Sequence, residues 1–265
     1  MSKQLVVSAD DFGFSRAYSA GNIRVVTEGV ATVLALMSNM EAAPYAVDLR
    51  NRYAPHVEMS LHVNFVQGRP VSDPEDIPSL VNGEGAFYRS SAWRGDDPSD
   101  PKCVGDVYPT YEDLKRETEA QIERFRELTG SYPLHFEGHS TMTEPMRDAF
   151  RDIAAERGIH CSVQEPFGTD RMRSCSEMNI KGFMDILNRG CSVEDWLSGT
   201  FDVVACPYDI AILHFHPGYI DQFVLDNTSL TLPRCRDLET LCDPRVREWI
   251  DGQGIELVGY SALYR

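Results

Sequence analysis

Gln4-Leu5-Val6-Val7-Ser8-Ala9-Asp10-Asp11-Phe12-Gly13-Phe14-Ser15 is a short apolar run that stops at two adjacent carboxylates and a helix start. Gln4 to Ala9 reads as a buried strand, and Ser15 as the N-cap of a helix that ends near Gly29. Ala31 to Met37 is a second apolar strand, followed by a helix around Glu41 to Arg52 and a third strand from Val57 to Phe65. Strand, helix and strand in alternation imply a mainly parallel sheet.

The alternation continues. Tyr111 to Thr129 reads as a helix capped by Thr110, with Asp113 three residues on and Gly130 ending it; Leu114, Ile122, Phe125 and Leu128 share one face. Strands follow at Leu134 to Gly138 and Ile159 to Val163, on either side of a helix from Met146 to Arg157. Helical pieces lie near Met184 and Trp196, a strand runs from Ile210 to His216, a helix begins near Pro244 after Asp243, and Ile255 to Tyr260 is a last strand. Doubly wound and barrel forms both fit this order. No linker divides the chain, so residues 1–265 read as one domain. Val66 to Thr110 stands apart, with six prolines, five glycines and little periodicity. A loop of that length, carrying Phe87, Tyr88 and Trp93, reads as a lid or rim over a pocket.

With 265 residues, 42% hydrophobic and 25% charged, the chain can bury one large core without help from disulfides. Its net charge of −16 argues against nucleic acid or an anionic membrane as partner and leaves a neutral or cationic small molecule. Seven scattered cysteines with no CxxC pair fit reduced thiols. No stretch is long and apolar enough to span a bilayer and no signal-peptide pattern opens the chain, so a cytoplasmic location is expected.

The chemistry-bearing residues sit at strand ends. Asp10 and Asp11 close the first strand, His62 lies near the end of the third, His135 and His139 bracket the Leu134 strand, and His214 and His216 end the Ile210 strand. In parallel α/β folds the carboxyl ends of strands meet on one face, where catalytic groups collect. For Asp10-Asp11 the plain reading is a pair capping backbone N–H groups. The sharper one is that a metal bound by one carboxylate relieves their repulsion and leaves the other as a base. His62 and Asn64 share a strand face, as do His135, Glu137 and His139, and this spacing does not say which histidine binds metal. A histidine at the mouth is a candidate general acid.

Taken in order, these motifs resemble the YdjC/ChbG family of carbohydrate (chitooligosaccharide-type) deacetylases. Ser8-Ala9-Asp10-Asp11-Phe12-Gly13-Phe14-Ser15 looks like its Asn-Ala-Asp-Asp-Phe-Gly-Leu-Ser opening. Leu61-His62-Val63-Asn64, His135-Phe136-Glu137-Gly138-His139 and His216-Pro217-Gly218-Tyr219 resemble its later elements. The resemblance implies a single-domain (β/α) barrel, TIM-like and irregular or seven-stranded, as in polysaccharide deacetylases. It implies Asp11, His62 and His139 as ligands of one divalent metal ion, with magnesium or zinc expected and manganese or cobalt acceptable. It implies Asp10 as general base, His216 as general acid or transition-state stabiliser, and Asn64 and Tyr219 as substrate contacts. Two departures stand out: Ser140-Thr141-Met142-Thr143 replaces a His-rich run, and Glu137 stands where the family has Asp.

The expected reaction is attack of metal-bound water on the acetamide carbonyl of an N-acetylated amino sugar or short oligosaccharide, with Asp10 taking the proton and His216 protonating the amine. Three rivals carry the same residues: a hydrolase of a different amide, a two-His-one-carboxylate iron oxygenase, and a sugar-binding relative without turnover. The oxygenase is disfavoured by the α/β pattern, and the loss of turnover by the retention of Asp10, Asp11 and His216. A homodimer is compatible with everything read from the sequence.

Overall fold

The computed structural model describes residues 3–93, 107–162, 172–174 and 180–264. Eight strands are found there, β1 (Gln4–Phe12), β2 (Val33–Leu36), β3 (Glu58–Val63), β4 (His135–Gly138), β5 (His160–Cys161), β6 (Met172–Ser174), β7 (Ile210–Phe215) and β8 (Glu256–Leu257). The helices are α1 (Arg16–Thr27), α2 (Ala43–Tyr53), α3 (Ser90–Trp93), α4 (Tyr111–Thr129), α5 (Glu144–Arg157), α6 (Ile180–Arg189), α7 (Val193–Leu197), α8 (Gln222–Asn227), α9 (Leu232–Leu241) and α10 (Pro244–Gly252). The strand order is β5-β4-β3-β2-β1-β7-β6, with β8 on β1. The pairings β1–β2, β1–β7, β1–β8, β3–β4, β4–β5 and β6–β7 are all parallel. This is the α/β class implied by the sequence. Val163, Cys103 and Cys175, and the 94–106 part of the long loop, lie outside the described residues.

The chain forms two compact units that interleave in sequence. The first comprises Met1–Leu36, Ala42–Ser60 and Thr169–Arg265, the second Met37–Glu41 and Leu61–Gly168. In the first, β1 is central because Leu5, Val6, Val7 and Ala9 are wholly buried, as expected of a parallel strand covered on both faces. It is longer than the apolar run predicts, continuing through the acidic pair to Phe12. Ser15 caps α1, its Oγ accepting the Tyr18 N–H at 3.1 Å. The expected final strand, Ile255 to Tyr260, is shorter: only Glu256–Leu257 pairs, and the chain turns into a 3₁₀ helix at Tyr260. The segment Gln222–Asn227 and helix α9, absent from the periodicity reading, complete this unit.

In the second unit α4 has the predicted bounds, with Thr110 Oγ1 accepting the Asp113 N–H and Gly130 left-handed at φ 84°. Its buried face is partly polar. Glu117 accepts the N–H groups of Val71 and Ser72 at 3.0 and 2.9 Å, and Gln121 pairs with the Asn64 backbone at both its amide and its carbonyl, at 3.0 and 2.7 Å. Burial pushes the Glu117 carboxyl up, while those hydrogen bonds hold it back. Of the loop expected to form a lid or rim, residues 66–93 and 107–110 are described. Phe87 and Trp93 are buried against Phe65, and Ser79 is tied to Asp113, so residues 66–93 are a packed part of this unit. Leu134, expected on the apolar face of its strand, precedes β4 and is exposed, while Phe136 is wholly buried.

Candidate active site

The first unit carries a buried cluster at the end of β1. In a regular strand Asp10 and Asp11 would project to opposite faces. Between Ala9 and Phe12 the β1–β2 register shifts, and Asp11 is left-handed at φ 63°. Aspartate tolerates that region better than most residues, and the bulge ends the alternation where both carboxylates become buried, Asp10 at 3% and Asp11 at 0% exposure. Backbone strain of this kind costs about 1–3 kcal/mol and persists where the surroundings over-determine it.

The two carboxylates have different partners. Asp10 accepts the Ser8 hydroxyl at 2.7 Å and lies 3.4 Å from His214 Nδ1, a contact built into the β1–β7 register that sets Ser8 beside His214. Asp11 accepts Arg234 Nη1 at 2.8 Å, and the same guanidinium donates to the Tyr18 hydroxyl at 2.7 Å. Burial works against the Arg234 charge, but Tyr18 and Asp11 outweigh it and raise its pKa. Burial also pushes the Tyr18 phenol well up, so it stays neutral.

His216 follows β7 and is half-buried. Burial lowers its pKa, opposed by Asp11 and Asp10. Its backbone N–H donates to Asp237 at 3.0 Å, and the other Asp237 oxygen accepts the Cys191 N–H at 2.7 Å. Burial raises the Asp237 pKa and those amides counter it. The turn after His216 is fixed by close packing: a Cβ on Gly218 would come within 2.1 Å of the Tyr18 ring, and Asn22 donates to Pro217 O at 2.8 Å.

The second unit carries an imidazole cluster at the ends of β3 and β4. His62 Nε2 and His139 Nδ1 are 3.2 Å apart. His62 Nδ1 lies 3.8 Å from Glu137, whose other oxygen is 4.0 Å from His135 Nε2. His62, Glu137 and His135 are buried. His139 continues the strand pairing, its N–H donating to Val63 O at 2.8 Å, and Ser140 after it is left-handed at φ 68°. The donor types fit a divalent cation. Two imidazoles on one ion at metal–nitrogen lengths of about 2.1 Å have their nitrogens about 3.0–3.4 Å apart at the usual angles, which matches the His62–His139 separation.

Asn64 and Tyr219, the substrate contacts implied by the resemblance, lie in different surroundings. Asn64 is wholly buried; its amide donates to Asn39 Oδ1 and Gln67 O, and its oxygen accepts the Val66 and Gln67 N–H groups. That uses both donors and both acceptor sites in a turn. Tyr219 is 40% exposed. Sequence reasoning missed Tyr18, Arg234 and Asp237. The last two lie on α9, for which Pro233 at the helix start and the Leu238, Leu241 spacing were available signals.

A parallel α/β sheet with carboxylates and imidazoles at the carboxyl ends of its strands is the arrangement of an enzyme or a binding protein for a small polar molecule. A family model described as YdjC-like protein matches residues 4–252, and the chain belongs to that family. Among curated relatives, it is 30% identical to Carbohydrate deacetylase 2 of Listeria innocua, with 98% of each chain covered. It is 35% identical to a mouse carbohydrate deacetylase, covering 98% of this chain and 94% of that one. A solved structure from Enterococcus faecalis V583, whose name proposes a role in cellobiose-phosphate cleavage, shares the fold with a TM-score of 0.82 at 22% identity, covering 99% of each chain.

Proposed function

We propose that this chain is a divalent-metal-dependent carbohydrate N-deacetylase. The observation that carries the reading is the pair of buried imidazole nitrogens 3.2 Å apart in a chain whose relatives, aligned over nearly its whole length, are named carbohydrate deacetylases. By the resemblance, Asp11, His62 and His139 would hold one cation, and each stands at or just beyond the carboxyl end of a parallel strand. A divalent ion there supplies Lewis acidity, polarising the amide carbonyl and making water acidic enough to attack at neutral pH.

The chain's own groups do the rest. Asp10 is the base that takes the proton of the attacking water at its carboxylate. Ser8 and His214 hold that carboxylate in orientation, and the imidazole beside it steadies the negative form. Arg234 fixes one oxygen of Asp11, donating to it at 2.8 Å. His216 donates to the departing amine nitrogen. Burial lowers its pKa, and the carboxylates of Asp11 and Asp10 oppose that fall.

The test is to incubate metal-loaded protein with a panel of N-acetylated amino sugars and short oligosaccharides and to score released acetate. Release by the wild type, abolished in Asp10→Asn with metal content retained, supports the reading. Silence of the wild type across the panel sinks it in favour of a different amide or of sugar binding without turnover.

A further inference from the structure

The β3–β4 register sets His62 directly beside Glu137, so the two side chains leave adjacent strands on the same face. Both are buried, at 3% and 4% exposure. The two nitrogens of His62 therefore meet different neighbours: Nδ1 is 3.8 Å from the Glu137 carboxylate, Nε2 is 3.2 Å from His139. A neutral imidazole has one N–H and one lone pair, and a carboxylate only accepts. We infer that Glu137 is a positioning residue for the metal site: its carboxylate holds His62 in the Nδ1–H tautomer and so presents the Nε2 lone pair to the cation.

At 3.8 Å the pair makes no direct hydrogen bond, but in a buried setting a carboxylate still favours a ring N–H over a ring lone pair as its neighbour. Carboxylates placed behind metal-binding histidines orient the ring and raise its basicity. The second oxygen of Glu137 lies 4.0 Å from His135 Nε2. One consequence follows for His139. With Nε2 of His62 as the acceptor, the 3.2 Å contact in the metal-free protein is donated by His139 Nδ1–H. Binding of a cation at that nitrogen then moves the His139 proton to Nε2.

The inference rests on the proposed metal site, and its first test needs no metal. Nitrogen-15 NMR of histidine-labelled protein, stripped with a chelator, reads the tautomer of each ring. The Nδ1–H form is expected for His62 in the wild type, and the Nε2–H form there overturns the inference even if the metal site stands. The second test is zinc affinity by competition with a chromophoric chelator. Glu137→Gln is expected to weaken binding 10–100-fold, with Glu137→Asp recovering part of the loss. Unchanged affinity in Glu137→Gln overturns the inference. So does a loss beyond about 1,000-fold with the His62 tautomer unaltered, because Glu137 would then be a ligand in its own right. A wild type that binds no zinc, with His62 in the expected tautomer, removes the metal site and leaves the tautomer assignment standing.

Discussion

Asp11 is asked to serve two cations at once, the buried guanidinium of Arg234 and the proposed metal ion. Removing one partner of a buried ion pair typically costs about 3–5 kcal/mol, because the other charge is left uncompensated. Arg234→Met is therefore expected to lower stability by about that amount in chelator and by less with saturating metal, since the cation then neutralises Asp11. Equal losses in both conditions, by thermal or urea unfolding, would separate Asp11 from the metal. Asp10 behaves differently: Asp10→Asn is expected to lower kcat by about 10²–10⁴ while metal content stays the same. The acidic pair itself was legible as a candidate metal-and-base site. Its separate roles came only from the resemblance, and its structural setting was not legible, because φ 63° at Asp11 and the arrival of Arg234 from more than two hundred residues downstream leave no local trace in the sequence.

Capping fixes the ends of the best-read helices, α1, α4 and α10, where Ser15, Thr110 and Asp243 each accept a backbone N–H. Asp243 also pairs with Arg245, whose hydrogen bonds pull its carboxyl pKa down to about 2. A depressed acid contributes stability that is present above its unfolded pKa of about 3.9 and is lost as pH falls through about 2. NMR titration of the Asp243 carboxyl should give a midpoint near 2, and an ordinary midpoint would mean that the cap and the Arg245 pair do not form in solution. The α4 seam is the second case. Gln121→Leu keeps the volume but leaves the buried Asn64 N–H and C=O without partners, a loss of about 2–6 kcal/mol at about 1–3 per stranded group. A variant as stable as wild type by urea unfolding would contradict that seam. The polar positions of α4 show why this was hidden. Periodicity finds Leu114, Ile122 and Phe125, but Glu117 and Gln121 look like solvent residues until Val71, Ser72 and Asn64 are set against them. The element that escaped notice, α9, has only a short apolar stripe and buries Arg234 and Asp237 instead.

Across the whole molecule, the two units interleave in sequence, so neither can be excised as one segment, and we propose that they unfold together. No described helix is long and apolar enough to cross a membrane, and the five described cysteines are free thiols. A cation bound only to the folded chain stabilises it by mass action, about 2.7 kcal/mol at a hundredfold excess over Kd, or roughly 5–10 °C in Tm for a chain of this size. Calorimetry should show one transition that falls by about that much when a chelator strips the protein and recovers on adding metal back. The central claim is that Asp11, His62 and His139 hold one ion while Asp10 does not. Metal content per chain, measured by inductively coupled plasma mass spectrometry on gel-filtered protein, tests it most directly. The account predicts about one ion per chain in the wild type and in Asp10→Asn, and almost none in Asp11→Ala, His62→Ala and His139→Ala. Any of those three alanine variants keeping its ion, or Asp10→Asn losing it, would contradict the assignment.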